Sequence, residues 1–66
     1  MNKTMVLNAT NEIIKDYKEG FLEKVEAKNR LEGIITLINH SDIESSSERF
    51  ALKKEVMEKW NSNKLD

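Results

Sequence analysis

The sequence predicts an all-α protein, folded either as a helical hairpin or as a three-helix unit. Its apolar residues recur at spacings of three and four, which places them along one side of a helix. The chain contains no proline, the residue that most strongly disrupts a helix interior. Charged residues of opposite sign stand three or four apart, as Lys15 and Glu19 do, and such pairs support exposed helix. Together these observations favour helices along most of the chain.

The first helix is predicted over residues 8–19. Asn8 or Thr10 would serve as its N-cap, because both side chains can accept a hydrogen bond from a free N–H group of the first turn. Residues 1–7 precede this expected start, so we expect them to fray. The apolar face of the helix comprises Ala9, Ile13, Ile14 and Tyr17.

Gly20 leaves two interpretations open. Glycine is the preferred residue just beyond a helix C-terminus, which favours a bend there. Residues 21–23 include no Ser, Thr, Asp or Asn to cap a new helix, which favours a continuous one. A helix running on to Asn39 would, however, greatly exceed the usual length of about 11–12 residues. We favour the bend.

The second helix is predicted over residues 23–39, with apolar residues spread over a broad arc. Val25 lies off the stripe formed by Leu31, Ile34 and Ile38, so this helix is expected to be the central element. One further short helix cannot cover so wide an arc. A chain of 66 residues has a small core, and this one has no cysteine for a disulfide to stabilise it. The apolar surface of the second helix that stays uncovered therefore predicts a homodimer. The expected self-association residues are Phe21, Leu31, Ile34, Ile35 and Ile38.

The third helix is predicted over residues 45–61. Capping boxes at Ser41 and at Ser45 compete for its start, and we favour a start at Ser45 or Ser46. Residues 62–66 have no apolar periodicity and are expected to fray. The whole chain, 1–66, is then a single small domain.

The composition argues against several functions. With a net charge of −1 the chain has no long-range attraction for nucleic acid. No apolar run is long enough to span a bilayer, and the opening residues do not resemble a signal peptide, so a cytoplasmic protein is expected. A nucleophile needs a base beside it, and the single histidine, His40, is predicted in a loop; Gly20 and Gly33 are too far apart for a phosphate cradle. His40, Asp42 and Glu44 are interpreted as helix-end residues. We therefore expect no enzyme, cofactor or metal.

The strongest functional signal is Trp60, with Val56 and Met57 one turn before it. Tryptophan and methionine suit adaptable protein interfaces, although Trp60 could instead close one end of the core. The sequence thus predicts a small protein-interaction module with these three as partner-binding residues. An inhibitor, antagonist or adaptor of a larger protein fits best, and small size and composition suggest a phage or mobile-element origin. The alternative is a helix-turn-helix-like DNA-binding regulator formed by the first two helices.

Overall fold

A computed structural model describes residues 2–41 and 45–63 and shows three helices in this part of the chain. They are α1 (Lys3–Lys18), α2 (Lys24–Asn39) and α3 (Ser46–Asn63). No strand occurs among the described residues, which confirms the all-α class and decides for three helices over a hairpin. The molecule measures 36 × 17 × 17 Å, as expected when helices of this length lie side by side.

Contacts between the helices show their directions. The rings of Tyr17 and Trp60 meet near the C-terminal ends of α1 and α3. Lys3 and Glu48 pair near the N-terminal ends of the same helices, with nitrogen and oxygen 3.7 Å apart. Helices α1 and α3 are therefore parallel, and α2 runs back between their ends. We call the end that holds the α1–α2 turn and the last turns of α3 the turn end, and the other the distal end.

Helix α1 begins at Lys3, five residues before the expected start. The Oδ1 atom of Asn2 accepts a hydrogen bond from the backbone N–H of Met5 at 2.9 Å, so Asn2 is the N-cap. Val6 is fully buried in the core and secures this first turn. Residues 3–7, which were expected to precede the helix, therefore belong to α1, and the fraying of this end stays a prediction.

Neither of the expected N-cap residues has that role. Asn8 is exposed in the middle of α1, and Thr10 is fully buried there. The hydroxyl of Thr10 donates a hydrogen bond to the carbonyl oxygen of Val6 at 2.9 Å. Because its own helix satisfies this hydroxyl, Thr10 can occupy a core position.

The chain turns at Gly20, as favoured from the sequence. Gly20 has a φ of 87°, in the left-handed region that glycine adopts without strain. The N–H of Phe21 donates to the carbonyl oxygen of Asp16 at 2.8 Å, and the N–H of Gly20 donates to that of Tyr17 at 3.2 Å. This pair of bonds is a Schellman motif, which ends α1 and rules out one continuous helix in this structure.

Helix α2 starts one residue later than predicted. Its N-cap, Glu23, makes no side-chain capping hydrogen bond, in agreement with the shortage of capping residues before it. Helices α1 and α3 both contact α2 and each other, so α2 is one of three comparable members rather than the central element. The expected broad apolar arc is also narrower, since Val25 points to solvent and is 66% exposed.

Helix α3 begins at Ser46, as favoured from the sequence. The hydroxyl oxygen of Ser45 accepts a hydrogen bond from the N–H of Glu48 at 3.4 Å, so Ser45 caps this helix, whereas Glu44 of the other capping box lies outside the described residues. The helix continues to Asn63, whose side-chain amide donates to the carbonyl oxygen of Lys59. Residues 62 and 63, which were expected to follow the helix, therefore belong to α3, and their fraying stays a prediction. The expected fraying of residues 64–66 concerns residues outside the described part.

The core lies along the axis between the three helices. Each helix contributes buried residues three or four positions apart, and Leu22 adds one from the segment after Gly20. Tyr17, Met57 and four other half-buried side chains pack around this centre. The buried apolar residues are Val6, Ile14, Leu22, Ala27, Leu31, Ile34, Ile38, Leu52, Val56 and Trp60.

Candidate functional site

The three predicted partner-binding residues lie in two different environments. Val56 is fully buried and Trp60 is 3% exposed, so both belong to the core. The Trp60 ring lies 5.1 Å from the Tyr17 ring, centroid to centroid, at a tilt of 59°. This is a favourable aromatic geometry that joins α1 to α3. Met57 is half-buried and reaches the surface beside them.

A groove lies between the first turns of α2 and the last turns of α3, at the turn end. Its volume is about 400 Å³. Met57 and the exposed edge of Trp60 supply apolar surface from α3, and Val25 supplies it from α2. The remaining lining residues are Lys24, Lys28 and Asn61. The groove thus has an apolar interior with polar groups around it, as binding sites commonly do.

The two charged residues that line this groove are both lysines, and acidic Glu23 and Glu26 stand close to them on α2. Lys24 and Lys28 stand one turn apart on α2, and both are exposed. Among residues 2–41 and 45–63, no acidic residue lines the groove. The positive end of the α2 dipole lies here as well, next to an N-cap whose side chain does not cap it. On α3, Glu55 and Glu58 instead line a separate depression.

Exposed apolar side chains occur at both ends of the bundle. At the turn end, Phe21 is 75% exposed and Val25 forms one wall of the groove. Met5, Leu37 and Phe50 are exposed at the distal end. In the described part of the chain, the turn end combines such side chains with a groove whose interior is apolar and whose charged lining residues are both lysines, whereas Glu48 and Glu55 line the depression at the distal end.

The predicted self-association residues are also divided. Leu31, Ile34 and Ile38 are buried within the single chain, where α1 and α3 cover them. The argument that α2 needs a second copy to cover these three residues is therefore wrong. Ile35 is half-buried and Phe21 is exposed, so these two could still contact another molecule. Homodimer formation itself stays a prediction.

The remaining predictions from the sequence concern metal ions, DNA and membranes. Among the described residues, no three His, Cys, Asp or Glu side chains are grouped so that they could hold a metal. Asp42 and Glu44 lie outside the described residues. The helix-turn-helix alternative would use α1 and α2 to bind DNA. The first turn of α2 carries an acidic residue, Glu26, close to Lys24. Within residues 2–41 and 45–63, no helix is long and apolar enough to cross a bilayer.

Sequence reasoning did not find the groove. Its α2 wall consists of residues on the polar side of that helix, and its α3 wall combines Asn61 with Met57 and Trp60, two of the predicted partner-binding residues. The available signal was Val25, an apolar residue that lies off the buried stripe. Only the register of α3 against α2 shows that Val25 and Met57 share one groove.

Comparison with known proteins gives no match: no family model, no curated protein and no solved structure matches this chain.

Proposed function

We propose that this chain is a small, non-enzymatic protein-interaction module that binds a larger protein through its turn end. An inhibitor, antagonist or adaptor is the corresponding class of protein. The observation that carries the proposal is the groove between α2 and α3, with its apolar interior and the exposed side chain of Val25 in its wall. Concave apolar surface of this kind is suited to receiving a side chain of a partner.

The energetics support binding at this end. Burial of an exposed Phe or Val side chain against a partner contributes about 1.5–3 kcal/mol. Phe21 and Val25 are both available for such burial, and neither is needed to complete the core. Met57 is already held in place by its packing against the core, so it loses less side-chain entropy on binding than a freely moving one.

The experiment that tests this function is affinity capture from the cells that express the protein. The test variant is Phe21→Ser combined with Val25→Ser, which removes exposed apolar surface at the turn end only. Its matched control is Leu37→Ser combined with Phe50→Ser, which removes similar surface at the distal end. All four positions are exposed, so both variants should fold, and circular dichroism verifies this.

We expect a captured protein to be lost with the turn-end variant and retained with the distal-end variant. The captured protein must also bind the purified chain directly, as measured by calorimetry. Equal capture by both folded variants would refute the assignment to the turn end. If no protein binds the purified wild-type chain, the proposal of an interaction module fails altogether.

A further inference from the structure

We propose that the turn at Gly20 opens to let two copies of the chain exchange their first helices. In the exchanged dimer α1 and α2 of each copy form one continuous helix, and α1 packs against α2 and α3 of the other copy. The exchange does not depend on the proposed function. It follows from the way the turn is held and from two apolar side chains that the single chain leaves exposed, Phe21 and Val25.

Backbone groups hold the turn between α1 and α2. Gly20 supplies its left-handed conformation, and the N–H groups of Gly20 and Phe21 donate to carbonyl oxygens in the last turn of α1. The side chain of Glu23 does not cap α2. In a continuous helix the last carbonyl oxygens of α1 would accept hydrogen bonds from the first N–H groups of α2, which have no acceptor within a separate helix. Opening the turn therefore replaces backbone hydrogen bonds and does not lose them.

The residues around the turn are compatible with a continuous helix. Residues 15–28 contain no proline and are mainly Lys, Glu, Leu and Ala, which have high helix propensity. A single glycine is tolerated inside a helix at a modest cost. The bend is therefore specified by Gly20 and not by its neighbours.

The apolar side chains at the turn fit the exchanged form. Phe21 is 75% exposed and Val25 is 66% exposed, so neither completes the core of the single chain. In a continuous helix both would extend, at spacings of four, the row formed by Ile13 and Tyr17, which already pack against the core. Leu22 is buried in the closed turn. Exchange thus gives up at most one buried apolar side chain of the turn and buries two others.

The symmetry of the exchanged dimer would bring these side chains together. Helix α1 ends at Lys18 and α2 begins at Lys24, so the two continuous helices, which run antiparallel, would cross the two-fold axis close to residue 21. The Phe21 side chains of the two copies would then lie opposite each other. Val25 of each copy would lie near Tyr17 of the other.

The rest of the exchanged dimer uses contacts that the single chain already makes. Helix α1 of the second copy would take the place of the chain's own α1, with the same buried residues, Val6, Thr10 and Ile14. Domain exchange is a low-cost route to a dimer, because only the hinge and the region around the axis change. The equilibrium therefore depends on the turn, on the contacts at the axis and on the concentration of the chain.

The first test compares Gly20→Ala with Gly33→Ala in the full chain, with light scattering as a function of concentration. Alanine at residue 20 penalises the closed turn, whereas residue 33 is helical in both forms. The penalty is a factor of about 5–30 in each chain, so Gly20→Ala should raise the association constant of the dimer about 30–1,000-fold. Gly33→Ala should leave it within about 3-fold of wild type. Adding Phe21→Ser to Gly20→Ala should lower it at least about 10-fold.

A distance within one chain distinguishes exchange from association of closed chains. The chain has no cysteine, so spin labels can be attached at Asn8→Cys on α1 and Glu32→Cys on α2, both at exposed positions. Labelled Gly20→Ala chains are mixed with an excess of unlabelled ones, so that both labels of a dimer belong to one chain. The axes of neighbouring helices in a closed chain lie about 8–10 Å apart. Along one continuous helix residues 8 and 32 are about 36 Å apart, and we expect this long distance in the dimer.

Three results would overturn the inference. The first is a Gly20→Ala chain that stays monomeric at every concentration, and the second is an equal rise in association with Gly33→Ala. The third is a short distance between the labels in the dimer, which would show that closed chains associate. The capture experiment tests partner binding separately, so the proposed function can stand or fail independently of the exchange.

Discussion

The two glycines provide a direct test of the turn between α1 and α2, because the same substitution is expected to have opposite effects at the two positions. An added Cβ atom would meet nothing within 4 Å at Gly20 or at Gly33. Steric contact with the rest of the protein therefore contributes equally little at both. The difference lies in the backbone, since Gly20 has a φ of 87° and Gly33 lies within α2.

The magnitudes follow from these conformations. An L-residue in the left-handed region costs about 1–2 kcal/mol, so Gly20→Ala should lower the free energy of unfolding by about that amount. Alanine is favoured over glycine within a helix by about 0.5–1 kcal/mol, so Gly33→Ala should raise it. For a domain of this size 1 kcal/mol corresponds to about 4–8 °C in Tm. The two variants should therefore melt on opposite sides of the wild type.

Thermal and urea unfolding, followed by circular dichroism, measure both effects. Gly20→Asn is the second control, because asparagine tolerates the left-handed region better than alanine and should lose less stability. If Gly20→Ala and Gly33→Ala both raise Tm by similar amounts, residue 20 is helical in solution. The continuous helix considered from the sequence would then be correct, and the Schellman turn would be refuted.

Three further predictions concern stability and association. Asn2→Ala should lower the free energy of unfolding by about 0.5–2 kcal/mol, because it removes the N-cap of α1. Val6→Ala should also lower it measurably. If neither variant has an effect in urea unfolding, the first turn of α1 is frayed. Trp60→Ala should lower the free energy of unfolding by about 3–5 kcal/mol. This is a large part of the roughly 3–10 kcal/mol of stability expected for a chain of this length, so circular dichroism should show partial or full unfolding at 37 °C. A fully folded variant would contradict the place of Trp60 in the core. If the chain forms a homodimer, Phe21→Ser and Ile35→Ser should lower its mass in light scattering, whereas a monomer mass at every concentration would refute self-association.

Much of the fold was predictable because its signals are local. The turn at Gly20 depends on the backbone freedom of one residue, and the start of α3 depends on the hydrogen bond from the N–H of Glu48 to the hydroxyl oxygen of Ser45. The true start of α1 was missed because Thr10 interrupts the apolar spacing from Val6 to Ile14. A sequence pattern counts threonine as polar, whereas here the hydroxyl is satisfied by the carbonyl oxygen of Val6.

The candidate site was less predictable because it depends on contacts between helices. Met57 and Trp60 were recognised as possible interface residues, but the burial of Trp60 against Tyr17, which leaves only its edge in the groove, depends on the position of α1. Lys28 looked like any residue of a solvated helix face. Its position in the groove follows only from the packing of α3 beside it. The apolar spacing within one helix carries no information about that packing.

The Tyr17 and Trp60 rings come from the two helices that are farthest apart along the chain, and this affects the order of folding. The contacts of α2 with its two neighbours close short loops, whereas the ring contact requires α1 and α3 to come together across the whole of α2. We therefore expect helix formation to precede the ring contact in refolding. A substitution at Trp60 should then change the folding barrier much less than the free energy of unfolding, which is a low kinetic φ-value. Tryptophan fluorescence would then report the final docking of α3, and substitutions at this pair would mainly accelerate unfolding.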